Sequence, residues 1–433
     1  MTSRKKSIAF ITLGCKANRY DTGAMMSLFG EDYEVSAPAD AGSAGPADIY
    51  VINTCAVTGK SAYQCRQMIR RAKKANPDAL VAVTGCLVEI APDSLKEAGA
   101  DIVAGLDLRG ALKENIEIML SGRAALSESG DHSVFFAPDG GVQSRGRALI
   151  KIQDGCDHNC AYCVVTIARG DNRSVPVEGV LGQLRAATDA GYREAVLTGV
   201  HIGLYGKDRG GSLTGLMRKI AVEEGMPERI RLSSIEPGEI TPELVEIVAN
   251  SGRFCPHFHV PLQSGDKDIL KSMGRPYTPD IFRKALDLIA QKIDNPGIGL
   301  DVIAGFPGET EEAHRNTVEL IKSSPSTYLH VFPMSVRPGT RAESMPDKVP
   351  SDVIKSCARE LRELGARLYA NFLERQKGKT LGVLVERCTD DKAEGTSGNY
   401  ARVTLPGSDK DIGELLLTKI KRAGKRTLHG ERE

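Results

Sequence analysis

Gly155-Cys156-Asp157-His158-Asn159-Cys160-Ala161-Tyr162-Cys163 sets three thiols apart by three and then two residues, at the front of the middle third of a 433-residue chain. Three thiolates so spaced can wrap one cubane iron-sulfur cluster. A three-cysteine cradle leaves one of the four irons open to another ligand. A zinc site is the competing reading, but structural zinc takes four ligands, usually as two separated pairs. Only His158 and Asp157, both inside the loop, are at hand as a fourth.

Ala148 to Gln153 reads as the strand that delivers this loop. Downstream, strand-like runs recur after helix-like ones: Glu194 to Leu197, Ile230 to Ser234, Phe258 to Pro261, Gly299 to Ile303 and Tyr328 to Met334. Six such units suit an incomplete (β/α)6 barrel, whose reactive groups belong at the carboxyl ends of its strands. The cysteine loop follows the first strand, as that rule requires. Thr198-Gly199, Ser234 with Glu236, Gln263-Ser264 and the run Gly305 to Glu309 end later strands in polar or glycine-rich chemistry. Singly these are weak signals, because glycine serves wherever a turn needs positive φ. Their order along the chain gives them weight. His201 and His259 read as structural, with no nucleophile or paired carboxylate beside them, and receive no proton-transfer role.

The first third repeats one design. Ser7 to Leu13, Asp48 to Ile52 and Ala79 to Val83 are apolar strands, separated by helix-compatible stretches at Arg19 to Phe29 and Lys60 to Lys74. A parallel sheet follows, with all carboxyl ends along one edge where ligands collect. Cys15, Cys55 and Cys86 each fall just beyond a strand's carboxyl end, which makes a second three-thiol cradle. A single cysteine is often only a small buried hydrophobe. Cys65, within a helix, and the isolated Cys255, Cys357 and Cys388 are read that way. Arg66, Arg70, Arg71, Lys73 and Lys74 share the Lys60 to Lys74 helix, and a solvated face is favoured there over a phosphate-contacting patch.

The cysteines number ten, and the start of the chain has too short an apolar segment for an export signal, which points to reduced thiolates in a cytoplasmic protein. No apolar run reaches membrane-spanning length. A formal net charge of +1 gives no global attraction to nucleic acid, so an RNA site must be a local patch. Ala137 to Arg147 reads as an interdomain linker. Asp352 to Lys377 reads as a long amphipathic helix. Beyond it, Leu381 to Arg387, Tyr400 to Leu405 and Glu414 to Lys421 alternate as strands of a small OB-like β-barrel, with a basic tail of Lys419, Lys421, Arg422, Lys425 and Arg426.

With both cradles and the terminal β-module, nearly the whole chain resembles the radical S-adenosylmethionine (SAM) methylthiotransferases. The CxxxCxxC spacing, with Tyr162 before the third cysteine, carries the resemblance. Leu13-Gly14-Cys15-Lys16-Ala17-Asn18 and Asn53-Thr54-Cys55-Ala56-Val57-Thr58 look most like the branch that acts on threonylcarbamoyladenosine 37 of tRNA. Sister branches act on isopentenyladenosine of tRNA or on a ribosomal-protein aspartate. Thr166 stands where the family often has Pro, and Ser397-Gly398-Asn399-Tyr400 only loosely matches the motif of the terminal RNA-binding (TRAM) module.

The resemblance implies an α/β protein of three domains: residues 1–139 with an auxiliary 4Fe-4S cluster on Cys15, Cys55 and Cys86; residues 140–377, a radical SAM barrel with a cluster on Cys156, Cys160 and Cys163; and residues 378–433, a TRAM module. It implies SAM contacts at Thr198, Gly199, Ser234, Glu236, Gln263 and Ser264. It also implies a tRNA anticodon loop as substrate, an electron donor and a sulfur source. The rival class is a zinc-stabilised RNA-binding protein without catalysis.

Overall fold

The computed structural model describes residues 4–39, 45–123 and 146–433. These fall into two compact units. One holds the described residues up to 123 together with 149–175 and 335–343; the other holds 146–148, 176–334 and 344–433.

In the first unit, β1 (Ser7–Thr12), β2 (Glu34–Ala39), β3 (Ile49–Thr54), β4 (Leu80–Gly85) and β5 (Ile102–Val103) form a parallel sheet in the order β2-β1-β3-β4-β5. β3 and β4 are buried along their whole length, as their unbroken apolar runs demand of a sheet covered on both faces. The edge strands β2 and β5 were not legible: β2 carries Pro38, which only an edge tolerates, and β5 has two residues. Helix Gly59–Ala75 starts at Thr58, whose side chain accepts from the Ser61 N–H, and buries Ala62, Cys65, Met68, Ile69 and Ala72 on one face. Cys65 is thus a core residue.

β6 (Arg147–Lys151) straddles the two units. After it, β7 (Gln153–Asp154) pairs antiparallel with β8 (Arg173–Ser174) and closes the base of the cysteine loop. The segment 137–145 of the expected linker lies outside the described residues, and Arg147 already belongs to a strand.

The second unit alternates strand and helix. β9 (Glu194–Thr198) pairs in parallel with β10 (Arg229–Leu232), and β11 (His257–Gln263), β12 (Gly297–Ala304) and β13 (Tyr328–Pro333) continue in parallel. A parallel bridge between Ser234 and His259 links the two sets. Helices Val177–Asp189, Leu213–Val222, Pro242–Asn250, Pro279–Lys292 and Glu311–Lys322 separate or flank these strands. Four of the five begin at a Ser or Thr cap, at Ser212, Thr241, Thr278 and Thr310. This is the α/β architecture expected.

Helix Ser351–Glu374 ends with Phe372 and Leu373 in the core of a closed barrel. Its strands β14 (Thr380–Thr389), β15 (Lys392–Ser397), β16 (Arg402–Pro406), β17 (Leu415–Ala423) and β18 (Leu428–Arg432) run in the order β14-β15-β16-β18-β17. Three strands were expected and five are present. β15 was concealed by a tight hairpin in which Asp390 and Asp391 both take positive φ. The basic cluster is correspondingly no tail. Lys419, Lys421 and Arg422 lie on β17, Lys425 and Arg426 lie in the turn to β18, and Lys421 pairs with Glu431 at 3.0 Å. No helix among the described residues is long and apolar enough to cross a membrane.

Candidate functional site

The first unit contains both cysteine trios. Cys15 caps helix Lys16–Ser27 beyond β1, Cys55 follows β3, and Cys86 opens a short helix beyond β4. Two of the three are preceded by a glycine that no other residue could replace without strain. Gly14 has φ +110°, and a Cβ there would stand 2.8 Å from Cys55 Cβ; Gly85 has φ +100°, and its Cβ would stand 2.5 Å from the Thr54 backbone. Asn18 fastens two of the loops, donating to the carbonyls of Leu13 and Thr54, each at 2.8 Å. The three thiols are electrostatic neighbours. Burial pushes Cys55 up to about 11, reinforced by Cys15 and Cys86, so this thiol ionises when a cation arrives to take it.

The 156–163 loop is held by backbone bonds. Cys156 N donates to the Gly170 carbonyl at 3.0 Å and Cys163 N to that of Cys160 at 3.1 Å. The N–H groups of His158 and Val165 point at the sulfurs of Cys156 and Cys163, both at 3.4 Å, which is the donor pattern that stabilises thiolate. Gly155 has φ +71°, and a Cβ there would lie 1.9 Å from the Asp171 carbonyl. From the 335–343 segment, Ala342 N donates to the Ala161 carbonyl and Arg341 to that of Asn159, both at 2.8 Å.

Zinc thiolates in a tetrahedron stand roughly 3.8 Å apart. Among the described residues, only His259, Asp301 and His330 bring three metal-ligating atoms within 4.8 Å of one another. Neither cysteine trio draws its three sulfurs within that distance.

Between the trios lies a buried ionic cluster that the sequence reading missed. Asp21 meets Lys151 at 2.5 Å and Arg169 at 3.1 Å, and also pairs with Arg109. Asp154 meets Lys151 at 3.0 Å and takes both oxygens to Arg169 Nη1, at 2.8 and 2.9 Å. Burial disfavours the charge on Asp154, and Arg169, Lys151 and Arg109 overcome it, holding the carboxyl well below the usual range. Arg169 further donates to Asn18 Oδ1 at 2.6 Å and, through Nε, to Cys86 Sγ at 3.2 Å. Three cations face two carboxylates, so one positive charge is left over beside Cys86. Burial raises the Cys86 thiol and Arg169 pulls it back. Burial outweighs Arg169, so the Cys86 thiol stays above its ordinary value.

Residues 150–321 match the model of the radical SAM superfamily, and residues 7–105 match that of the uncharacterized protein family UPF0004. The chain is 35% identical to the threonylcarbamoyladenosine tRNA methylthiotransferase MtaB of Bacillus subtilis, over 96% of this chain and 94% of that protein. It is 36% identical to MtaB of Aquifex aeolicus, over 95% and 100%. The chain belongs to the radical SAM methylthiotransferase family. Relatives named tRNA-2-methylthio-N(6)-dimethylallyladenosine synthase also match, that of Chloroherpeton thalassium at 32% over 99% of this chain and 96% of its own. Among solved structures, the radical SAM methyltransferase TsrM from Kitasatospora setae superposes with a TM-score of 0.59 at 15% identity, covering 90% of this chain and 80% of that one, a likeness of fold.

In this methylthiotransferase the remaining expected contacts lie in the second unit. Thr198 is buried at the end of β9, with Gly199 partly buried after it. Ser234 is partly buried beyond β10. Glu236 is ion-paired to Arg275, so a ligand there would find a carboxylate already neutralised. Gln263 takes φ +61° at the end of β11, a costly conformation for a residue with a side chain. Ser264 is fully buried, its hydroxyl 3.3 Å from that of Thr317 and accepting the Asp266 N–H at 3.2 Å.

His201 bonds Glu239 at 2.8 Å. His259 lies in an unforeseen network: its Nε2 is 2.8 Å from Asp301 Oδ1, which also meets His330 Nδ1 at 3.3 Å. The Tyr328 hydroxyl bridges His257 at 2.9 Å and His259 at 3.2 Å. Against burial, hydrogen bonds from His259 and His330 hold the Asp301 carboxyl well below its usual range.

Proposed function

We propose that this enzyme replaces the C2–H of N6-threonylcarbamoyladenosine at position 37 of tRNA with a methylthio group. The observation that carries the reading is Arg169, which touches Asn18 and Cys86 of one cysteine cradle while sitting six residues after Cys163 of the other. A strong C–H bond without acidity gives acid-base or nucleophilic catalysis no purchase, so the chemistry must come from cofactors. Cys156, Cys160 and Cys163 would hold a 4Fe-4S cluster with an open iron for SAM, and Cys15, Cys55 and Cys86 would hold a second. When bound, these groups supply a 5′-deoxyadenosyl radical, methyl from a further SAM, and sulfur.

The protein's part is positional. Gly14, Gly85 and Gly155 let the backbone turn into the cradles, Asn18 ties two loops together, and the N–H groups of His158 and Val165 stabilise negative sulfur. Thr198, Gly199, Ser234, Glu236, Gln263 and Ser264 are proposed to face SAM, and the terminal β-barrel to hold the anticodon arm. An electron donor and a sulfur source are required from outside.

Two measurements test the reading. Mass spectrometry of tRNA nucleosides from cells with and without the gene should show the methylthio form of threonylcarbamoyladenosine only when it is present. Loss of the methylthio form of isopentenyladenosine instead would move the assignment to the sister activity. In anaerobically reconstituted protein, Cys160→Ala should abolish SAM cleavage, whereas Cys55→Ala should retain cleavage and lose sulfur insertion. Full methylthiolation by Cys55→Ala would rule out two clusters, and a colourless protein that retains zinc would rule out both.

A further inference from the structure

Arg337 is nine-tenths buried in the first unit, in the turn Ser335 to Thr340. Its carbonyl accepts from Thr340 N at 3.2 Å and Thr340 Oγ1 at 2.6 Å, which fixes the turn. Its guanidinium, by contrast, has no hydrogen-bonding or ion-pair partner among the described residues, and Nε is wholly shielded from solvent. A guanidinium cannot shed its proton, so an Nε–H shielded from solvent and left unpaired is costly. The fold tolerates that cost where an acceptor arrives from outside.

The surroundings define the acceptor. A Cβ on Gly59 would lie 3.6 Å from Arg337 Nη1 and 3.4 Å from Ser335 Oγ, so the guanidinium sits against the first residue of helix Gly59–Ala75. Gly59 N donates to Ser335 Oγ at 2.9 Å, locking the turn onto the helix end. This helix runs for 17 residues with no acidic residue in its first turn, so Thr58 Oγ1 and Ser335 Oγ satisfy the Ser61 and Gly59 N–H groups while no carboxylate offsets the positive end of its dipole. Arg66, on the same helix, adds a like charge that Arg337 feels, and it too has no ion pair among the described residues. Arg337 and the helix N-terminus adjoin, and among the described residues the group of opposite tendency that Arg337 feels is Cys55.

We infer that Arg337, Arg66 and the N-terminus of helix Gly59–Ala75 form a binding site for a phosphodiester of the RNA substrate, beside Cys55. Phosphate is the anion that both elements suit: its oxygens accept paired N–H donors from arginine and lie well at a helix N-terminus. The inference rests on the proposed reading of tRNA as substrate. It places one backbone contact next to the cradle of Cys15, Cys55 and Cys86, so the contact would register the nucleotide against that cradle. It also relocates the basic helix's role. Lys73, near the far end, is paired with Asp101 at 2.7 Å.

The test is binding of an anticodon stem-loop RNA to the anaerobic holoenzyme, followed by fluorescence anisotropy over a range of salt. Arg337→Gln and Arg66→Gln should each weaken binding roughly five- to tenfold and lower the salt slope by about one. Arg337→Lys should keep the slope, which an arginine needed only for folding would not predict. Methylphosphonate substitution, one linkage at a time, should find a position that weakens the wild type and has no further effect in Arg337→Gln. Unchanged slopes in both Gln variants, or interference equal in wild type and variant at every linkage, overturns the site while leaving the tRNA reading intact. Failure of the wild type to bind the RNA overturns both.

Discussion

Arg169 Nε lies 3.2 Å from Cys86 Sγ, while the same guanidinium clasps Asp154 and reaches Asn18. One side chain therefore couples a thiol of the sheet-edge cradle to the loop that carries the other three cysteines. Arg169 and Asp154 are both buried, so removal of either breaks a buried ion pair.

Arg169→Gln should cost roughly 3–5 kcal/mol, as breaking a buried ion pair does. Urea unfolding of the apoprotein measures it. Asp154→Asn in the same chain should recover part of the loss, with a coupling energy of about 0.5–3 kcal/mol. Additive effects of the two substitutions would show that the pair is not a unit.

Gly85→Ala tests the cradle through the backbone. The extended residue at φ +100° and the 2.5 Å approach to Thr54 leave no room for a methyl group, so the strain is about 1–3 kcal/mol before any clash. The turn must shift, and Cys86 with it. Iron and sulfide per chain should fall toward the content of a single cluster, while SAM cleavage through Cys156, Cys160 and Cys163 persists. Unaltered iron content would show that Cys86 is not held by this turn.

The places of both cysteine trios in the fold were legible because each is announced locally, by cysteine spacing in one case and by cysteines at the ends of apolar strands in the other. The parallel strands showed for the same reason, since β3 and β4 are continuous apolar runs. What joins them was not legible. Arg169 and Asp21 are 148 residues apart, and in sequence each is an ordinary charged residue in a loop or on a helix. Only the fold reveals that both are buried. Arg337 was not legible either, because an arginine's missing partner leaves no trace in sequence.

Glu194 makes the last case. It begins β9, where a carboxylate passes for a strand edge, yet it is fully buried and receives Arg147 at 2.7 Å, Arg231 at 2.9 Å and Arg229. The last two arginines extend into the terminal barrel. Arg229 donates to the carbonyls of Gly382 at 2.8 Å and Thr396 at 3.0 Å, and Arg231 to those of Ser397 at 3.1 Å and Gly398 at 2.9 Å. Against burial, these three guanidinium groups hold the Glu194 carboxyl far below the usual range. A depressed native pKa stabilises the fold above the unfolded value, about 4.3, and that contribution drains away as the pH falls below it. Stability due to Glu194 should therefore be flat from pH 7 to 5 and decline in stronger acid. Glu194→Gln should cost roughly 3–5 kcal/mol at pH 7, since three cations lose their anion, and the loss should shrink at acid pH. Thermal unfolding of both proteins between pH 7 and 3 measures the difference. Proteolysis should release the terminal barrel sooner in the variant, because Glu194 orients the arginines that hold it. A difference that stays constant down to pH 3 would show that Glu194 contributes by packing and not by charge.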